Sequence, residues 1–359
     1  MRTSRLSSRE RVARMFKRQD HDCIPRADSF WTETSERWRN EGQEGDLNAF
    51  LGTDFKALSW SDPRPFPGQK RLVSEDGRTQ TFVDEWGNTV RYWKHRSGTP
   101  EHVAFGCTSR REWEETYKPA LLAAWPFVNP YASYRDFESG RRNGLWTYLC
   151  GLETFEMTRR QLGDEVFLIG MIEDPEWIVD VSRTMTGLVL RDFDLLMDRG
   201  VKPDGVWIYG DMAYRRGTMC SPAMYRELVW PDHKRMADWA HARGLPFIFH
   251  TDGDVKGVLE HYIEAGFDCL QPLEAKAGMD VRSLSPVYGE RLALFGNIDV
   301  MVMATNDLEL VEHEVRTKLQ AGMATRGYAY HSDHSVPPTV SWETYEFVID
   351  LVDRHGNYD

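Results

Sequence analysis

From about residue 145 onward, short apolar runs alternate with longer amphipathic segments, and this rhythm limits the possible folds more than any other feature of the chain. Candidate strands fall at 145–152, 205–211, 245–250, 267–273, 292–296 and 327–330, with helical patterns such as SPAMYRELVWPDHKRMADWAHARG and DLELVEHEVRTKLQAG between them. Strands separated by a dozen or more residues of helix pair in parallel, so the pattern reads as consecutive β/α units. The punctuation agrees. Ser221 and Ser341 stand where side-chain caps are needed, Pro222 sits in a first turn, and Gly244, Gly266, Gly289 and Gly356 follow helical patterns where a left-handed terminal residue is expected. A chain of 359 residues accommodates a (β/α)8 TIM barrel with an elaborated N-terminal half.

That half is less regular. Residues 7–19 read as an amphipathic helix, and 23–30 as the entry into the first barrel strand. Between about 61 and 105 the rhythm breaks: RLVSEDGRTQTFVDEWGNTVRYW alternates apolar and polar residues around Asp76-Gly77 and Gly87-Asn88, the pattern of antiparallel hairpins. The expected organisation is one domain over 1–359 with a hairpin-rich insertion over the barrel mouth.

In such barrels the reacting groups come from the carboxyl ends of the strands, where the loops converge. Five consecutive strands end in suitable residues: VWIYGD at Tyr209 and Asp211, LPFIFHTDG at His250 and Asp252, FDCLQPLE at Glu274, LALFGNID at Asn297 and Asp299, and GYAYHSDHS at His331, Asp333 and His334. A lone Asp after a strand is commonly a helix cap, a reading that suits Asp299, and one or two groups of the HSDH segment are expected only to stabilise their turn. His250 also reads as a core histidine after its run of Phe and Ile. As a set, His250, Asp252, Glu274 and His334 offer imidazole and carboxylate ligands suited to zinc or another divalent transition ion. Asp211, His250 and His334 are the candidate catalytic residues, and Asp211, Asn297, Tyr209 and His331 the candidate substrate contacts. The same residues also suit acid–base work without a metal.

Charge narrows the partners. With 44 basic against 56 acidic residues the net charge is -12, which disfavours nucleic acid and anionic membranes and favours a small-molecule substrate. No stretch approaches a membrane span and no signal peptide is evident, so the expectation is a cytoplasmic protein. The five cysteines are scattered singly, which suits a reducing compartment and buried thiols. Trp-rich segments are available for a homodimer interface.

Four segments carry a resemblance: SPAMYRELVWPDHKRMADWAHARGLPFIFHTDGDV, IEAGFDCLQPLEAKAGMDV, YGERLALFGNID and GYAYHSDHSVPPTVSWETYEFVIDLV. In this order they resemble the uroporphyrinogen decarboxylase superfamily, well over about 200–356 and more weakly in SSRERVARMFKRQDHDCIPR. The resemblance implies a barrel enzyme, either a porphyrinogen decarboxylase or a methyltransferase working with corrinoid proteins, coenzyme M or tetrahydrofolate. True decarboxylases carry M-R-Q-A-G-R after the first strand, arginines that grip the substrate carboxylates; here the chain reads PRADSFWTETSERW. The methyltransferase branch binds zinc through an H-x-C pair and a later cysteine. His250 matches the family histidine and Glu274 a family glutamate, whereas Asp252 and His334 replace the two cysteines. Such an N/O site is a harder Lewis acid, implying activation of an oxygen or nitrogen group in a demethylation pathway. With no D-x-H-x-x-G cobalamin motif present, a corrinoid would arrive on a separate protein or free. Decarboxylation of a small or tetrapyrrole acid remains the alternative, as does a non-catalytic corrinoid or tetrapyrrole binder.

Overall fold

A computed structural model describes residues 5–95 and 98–358. Its strands, in chain order, are β1 (Phe55–Ser61), β2 (Arg71–Glu75), β3 (Thr79–Val83), β4 (Thr89–Trp93), β5 (Glu101–Ala104), β6 (Trp146–Leu152), β7 (Gly205–Tyr209), β8 (Ala213–Tyr214), β9 (Gly217–Thr218), β10 (Phe247–Thr251), β11 (Cys269–Pro272), β12 (Ala293–Phe295) and β13 (Tyr328–Ala329). Seven of them form one sheet in the order β1-β6-β7-β10-β11-β12-β13, every neighbouring pair parallel.

The segment expected to be the first barrel strand closes this sheet. The Ala27 N–H donates to Tyr330 O (3.1 Å) and the Tyr330 N–H to Pro25 O (2.8 Å), while on the other edge the Asp54 N–H donates to Arg26 O (2.9 Å). Only isolated bridges form on the β13 side, Arg26 with Tyr330 and Phe30 with Val336, and the Asp54 hydrogen bond makes the contact on the β1 side, so the segment joins the two edges of the sheet as barrel closure requires. The two-residue alternation of a strand then separates two populations. Phe55, Trp146, Tyr148, Trp207, Ile248, Cys269 and Phe295 pack together inside the barrel, Phe55 stacking on Phe295 with centroids 5.0 Å apart. Val206, Ile208, Phe247, Phe249 and Leu270 join the larger cluster under the helices. An aromatic plug therefore floors the lumen, and the polar residues above it line a mouth.

The helices begin and end for local reasons. In Ser8–Phe16 the Ser7 hydroxyl accepts the Glu10 N–H while the Glu10 carboxylate accepts that of Ser7, a reciprocal cap. Ser221 and Ser341 cap through the N–H groups of Met224 and Thr344, both at 3.2 Å. Gly244 and Gly266 are left-handed, as expected, but Gly289 and Gly356 are not. Those two are required by space: a Cβ would lie 2.7 Å from Ser285 O at 289 and 2.6 Å from Val352 O at 356.

The hairpin-rich insertion is a four-stranded antiparallel sheet, β2-β3-β4-β5. Asp76 shapes its first turn by accepting the N–H groups of Arg78 (2.7 Å) and Thr79 (2.6 Å). The sheet is tied to the helix that leaves β6, Thr154–Leu162: Asn88 Nδ2 donates to Arg160 O (2.7 Å) and Gln161 Nε2 to Trp86 O (3.2 Å). It thus stands beside the carboxyl ends of the barrel strands. Among the described residues the five cysteines are buried free thiols, and no helix is long and apolar enough to cross a membrane.

Candidate active site

Strand register builds the centre of the site. β7 and β10 pair with Tyr209 opposite His250, so two residues further on Asp211 and Asp252 leave the sheet as neighbours. The Asp252 N–H donates to Asp211 Oδ1 (3.0 Å), and the same oxygen is 3.7 Å from His250 Nε2. One ligand atom from each of Asp211, His250 and Asp252 falls within 4.8 Å of the others. On the far side of its ring, His250 Nδ1 contacts Gln271 Oε1, from the strand end next to β10. With that hydrogen bond fixing the ring, Nε2 carries the lone pair on the side of the carboxylates.

These residues fit a divalent cation. Burial raises the Asp252 pKa; His250 and His334 act against that shift, while Asp211 and Glu274 reinforce it. Asp252 Oδ1 is buried and has no hydrogen-bond partner among the described residues. Close carboxylates, a buried oxygen without a donor and an oriented imidazole are what a hard metal ion would relieve.

Two of the expected ligands sit apart from the triad. Glu274 is held elsewhere: its Oε2 accepts the Gly253 N–H (2.7 Å) and its Oε1 pairs with Lys276 Nζ (3.0 Å), so it braces the Asp252 loop instead of completing the triad. Asp211, expected as an acid, base or substrate contact, is the third member of the triad. His334 Nε2 lies 3.9 Å from Asp252 Oδ2, with its ring stacked on Trp31, close to the triad but outside it.

A cavity of about 690 Å³ opens here, with Tyr209, His250, Asp252, His331, His334 and Asp28 in its wall. Tyr209 stacks on Trp207 and tilts against His250, with ring centroids 5.0 Å apart in the second contact. Asn297, expected to contact substrate, does not reach this space. It is buried and left-handed (φ 89°); its Nδ2 donates to Leu273 O and Met279 O, both at 2.6 Å, and its Oδ1 accepts the Val281 N–H (2.8 Å). Its chemistry is used up joining three loops. Asn297→Ala should therefore lower stability by roughly 2–4 kcal/mol, because buried backbone groups lose their partners. Urea unfolding measures that loss, and the folded variant should bind metal like the parent; a selective loss of ligand affinity would restore the substrate-contact reading.

Asp299 is the cap its pattern suggests, accepting the Met301 N–H (2.7 Å). Asp333 is the turn stabiliser of the HSDH segment, accepting the N–H groups of Ala275 and Val300 (both 2.9 Å), with its pKa pushed by burial to about 6. Two further acidic residues escape the sequence pattern. Asp28 lies within the segment read as the first strand and reaches the cavity wall, but that segment lies outside the regular rhythm of the later β/α units. Glu153 follows β6; it is fully buried, caps the next helix through Phe155 N and Glu156 N (both 2.6 Å) and accepts from His233 Nε2 (2.7 Å). Gly210 makes room for it, since a Cβ there would lie 2.1 Å from Glu153 Oε1. Asp211 is thus carried on a turn packed against a buried carboxylate.

Comparison with known proteins bears on the fold. Residues 206–355 match the family model for uroporphyrinogen decarboxylase (URO-D). No curated protein matches the chain by sequence. Among solved structures, a methyltransferase from Methanosarcina mazei superposes with a TM-score of 0.69 at 13% identity, covering 97% of this chain and 99% of the other. The YdhT protein from Bacillus subtilis aligns with a TM-score of 0.41 at 10% identity, over 91% and 84% of the two chains.

Proposed function

We propose that this protein, whose residues 206–355 match the uroporphyrinogen decarboxylase family model, is a methyltransferase acting on a small molecule, with a corrinoid or a tetrahydrofolate as methyl carrier. The observation that carries the reading is the Asp211–His250–Asp252 triad at the mouth, with one buried carboxylate oxygen lacking a partner. The full-length fold likeness to a methyltransferase supports it. A decarboxylase of a polyanionic porphyrinogen is disfavoured by the cavity wall, where among the described residues Lys56 is the one lysine or arginine and faces Asp136 at 3.8 Å, while Asp28 and Asp252 are acidic. A substrate bearing many carboxylates would meet repulsion without guanidinium clamps.

Asp211, His250 and Asp252 would hold the metal, which when bound supplies Lewis acidity to a coordinated oxygen or nitrogen. The chain's own residues do the rest. Gln271 orients the His250 ring, Glu274 fixes the loop that carries Asp252, and Trp31 with Tyr209 offers flat apolar surfaces to a ring-bearing substrate. The corrinoid would come from a separate protein or from solution.

The test uses zinc-loaded protein incubated with methylcobalamin and a phenol, and in reverse with a methoxyarene and cob(I)alamin, followed by the cobalamin absorbance. Metal-dependent transfer in either direction is expected. Release of carbon dioxide from a small carboxylic acid, with no methyl transfer, would give the decarboxylase reading the stronger case.

A further inference from the structure

Across the mouth from the triad lies a second pair of ionisable groups. In the closed ring of strands, the segment carrying Asp28 is four positions from β10, and His331 follows β13 beside it. The Asp28 side chain is fully buried, which raises its pKa, while His331 and the hydrogen bonds that the carboxylate accepts act to lower it. Its Oδ2 accepts the hydroxyls of Ser332 (2.9 Å), Tyr330 (3.1 Å) and Tyr345 (3.1 Å), and its Oδ1 the N–H groups of Ser29 (3.1 Å) and Ser332 (3.3 Å). Five donors hold the carboxylate in one place. His331 stands next to it, with Nδ1 3.7 Å from Asp28 Oδ1 and only 2.5 Å from Ser332 O.

The second distance decides the tautomer. A carbonyl oxygen can only accept, so Nδ1 must carry the proton, and in a neutral ring Nε2 is then the lone pair. His331 lines the mouth cavity, and no hydrogen bond engages Nε2 among the described residues. We propose that His331 Nε2 is the proton acceptor for an N–H, O–H or S–H compound bound in the mouth, with the Asp28 carboxylate as the buried counter-charge of the imidazolium.

The identity of that compound as the methyl acceptor rests on the methyltransferase reading. Replacing X–H by X–CH3 releases one proton. The X–H bond breaks and its electron pair stays on X to form the new bond to the methyl carbon; the bond between that carbon and the carrier would break with its electron pair left on the corrinoid cobalt or folate nitrogen, and the proton from X goes to Nε2. The groups facing His331 keep its ring neutral until then. Burial is the largest influence and lowers its pKa, Asp28 and Ser332 O act in the opposite direction, and the imidazoles of His250 and His334 lower it further. A neutral base of this kind can take a proton at neutral pH, and the carboxylate 3.7 Å away stabilises the charge formed.

Long-range 1H–15N NMR of the full chain with 15N-labelled histidine tests the proposal, the His331 signals being assigned by their loss in His331→Gln. A neutral ring with the proton on Nδ1 at pH 7 is expected. A proton on Nε2, or an imidazolium at pH 7, would overturn it. In Asp28→Asn the ring's pKa should fall further; no change would remove Asp28 as counter-charge. Where the zinc-loaded parent transfers methyl groups, His331→Gln should lose about 10²–10⁴-fold in kcat with metal content unchanged, and its acidic pH limb should flatten; a loss under about tenfold would overturn the catalytic role. If the parent transfers no methyl group, the functional reading fails, while the NMR measurement still decides whether Nε2 carries the free lone pair that the proposal requires.

Discussion

Replacing His250 by alanine is expected to abolish metal binding and methyl transfer together. The geometry makes this residue the least replaceable of the triad. It supplies the sole nitrogen among the three ligand atoms within 4.8 Å of one another, and it is the member with a dedicated orienting partner, Gln271. Two carboxylates alone would leave a weakly held, oxygen-rich ion, whereas an imidazole beside them favours zinc or a similar transition metal. The substitutions around it should grade accordingly. Gln271→Ala removes only the group that fixes the ring and should weaken metal affinity by about 10–100-fold. His334→Ala leaves all three ligand atoms in place, since His334 approaches only Asp252, and no closer than 3.9 Å; it should retain metal and lose activity to a smaller degree. Elemental analysis of purified variants, with the cobalamin assay on the same samples, gives both readouts. Activity in His250→Ala that resists chelators and merely changes its pH dependence would show the residue acting as an acid or base without a metal.

The barrel was legible because parallel β/α units are written locally: each buried strand is a short apolar run and each helix has its own cap, so strands at 145–152, 205–211 and 245–250 could be read without knowing their neighbours. The polar strand ends were legible for the same reason. Which of them converge was not, because convergence depends on register between strands distant in sequence. Asp211 and Asp252 meet since Tyr209 pairs with His250, and nothing in either segment announces that pairing. Glu274 carries the right chemistry at a strand end, yet the turn at Gly253 places a backbone N–H on it, and Asn297 is drawn into a three-loop junction by the left-handed backbone it adopts. Asp28 was hidden by a weak strand. The segment around Arg26 forms single bridges instead of a regular ladder, so its apolar pattern is too short to mark Asp28 as a mouth residue.

Arg11→Leu is expected to destabilise the fold strongly. The Arg11 side chain is 1% exposed, and its guanidinium spans two carboxylates: Nε and Nη2 donate to Asp22 (2.8 and 3.0 Å), and Nη1 to Asp54 (2.6 Å). Asp54 in turn accepts the Arg26 N–H through Oδ2 (2.9 Å) and donates its own N–H to Arg26 O (2.9 Å), so this cluster links the N-terminal helix to the segment that closes the barrel and to the start of β1. Removing the guanidinium leaves two enclosed carboxylates without their cation, a change that costs about 3–5 kcal/mol for a buried pair. The sign of the pH dependence comes from Asp22. Burial pushes its carboxyl up, but hydrogen bonds from Arg11 and from the N–H groups of Leu6 and Arg5 outweigh this and hold it well below the ordinary carboxylate range. A depressed folded pKa contributes stability that is fully present above the unfolded value of about 4 and disappears as pH falls through the folded value. The difference between parent and Arg11→Leu should therefore be largest at neutral pH and shrink below about pH 4. Urea unfolding at a series of pH values measures it, and Asp22→Asn introduced alongside Arg11→Leu should recover part of the loss. A difference under about 1 kcal/mol at neutral pH, the scale of an exposed ion pair, would mean that solvent reaches these carboxylates once the arginine is gone.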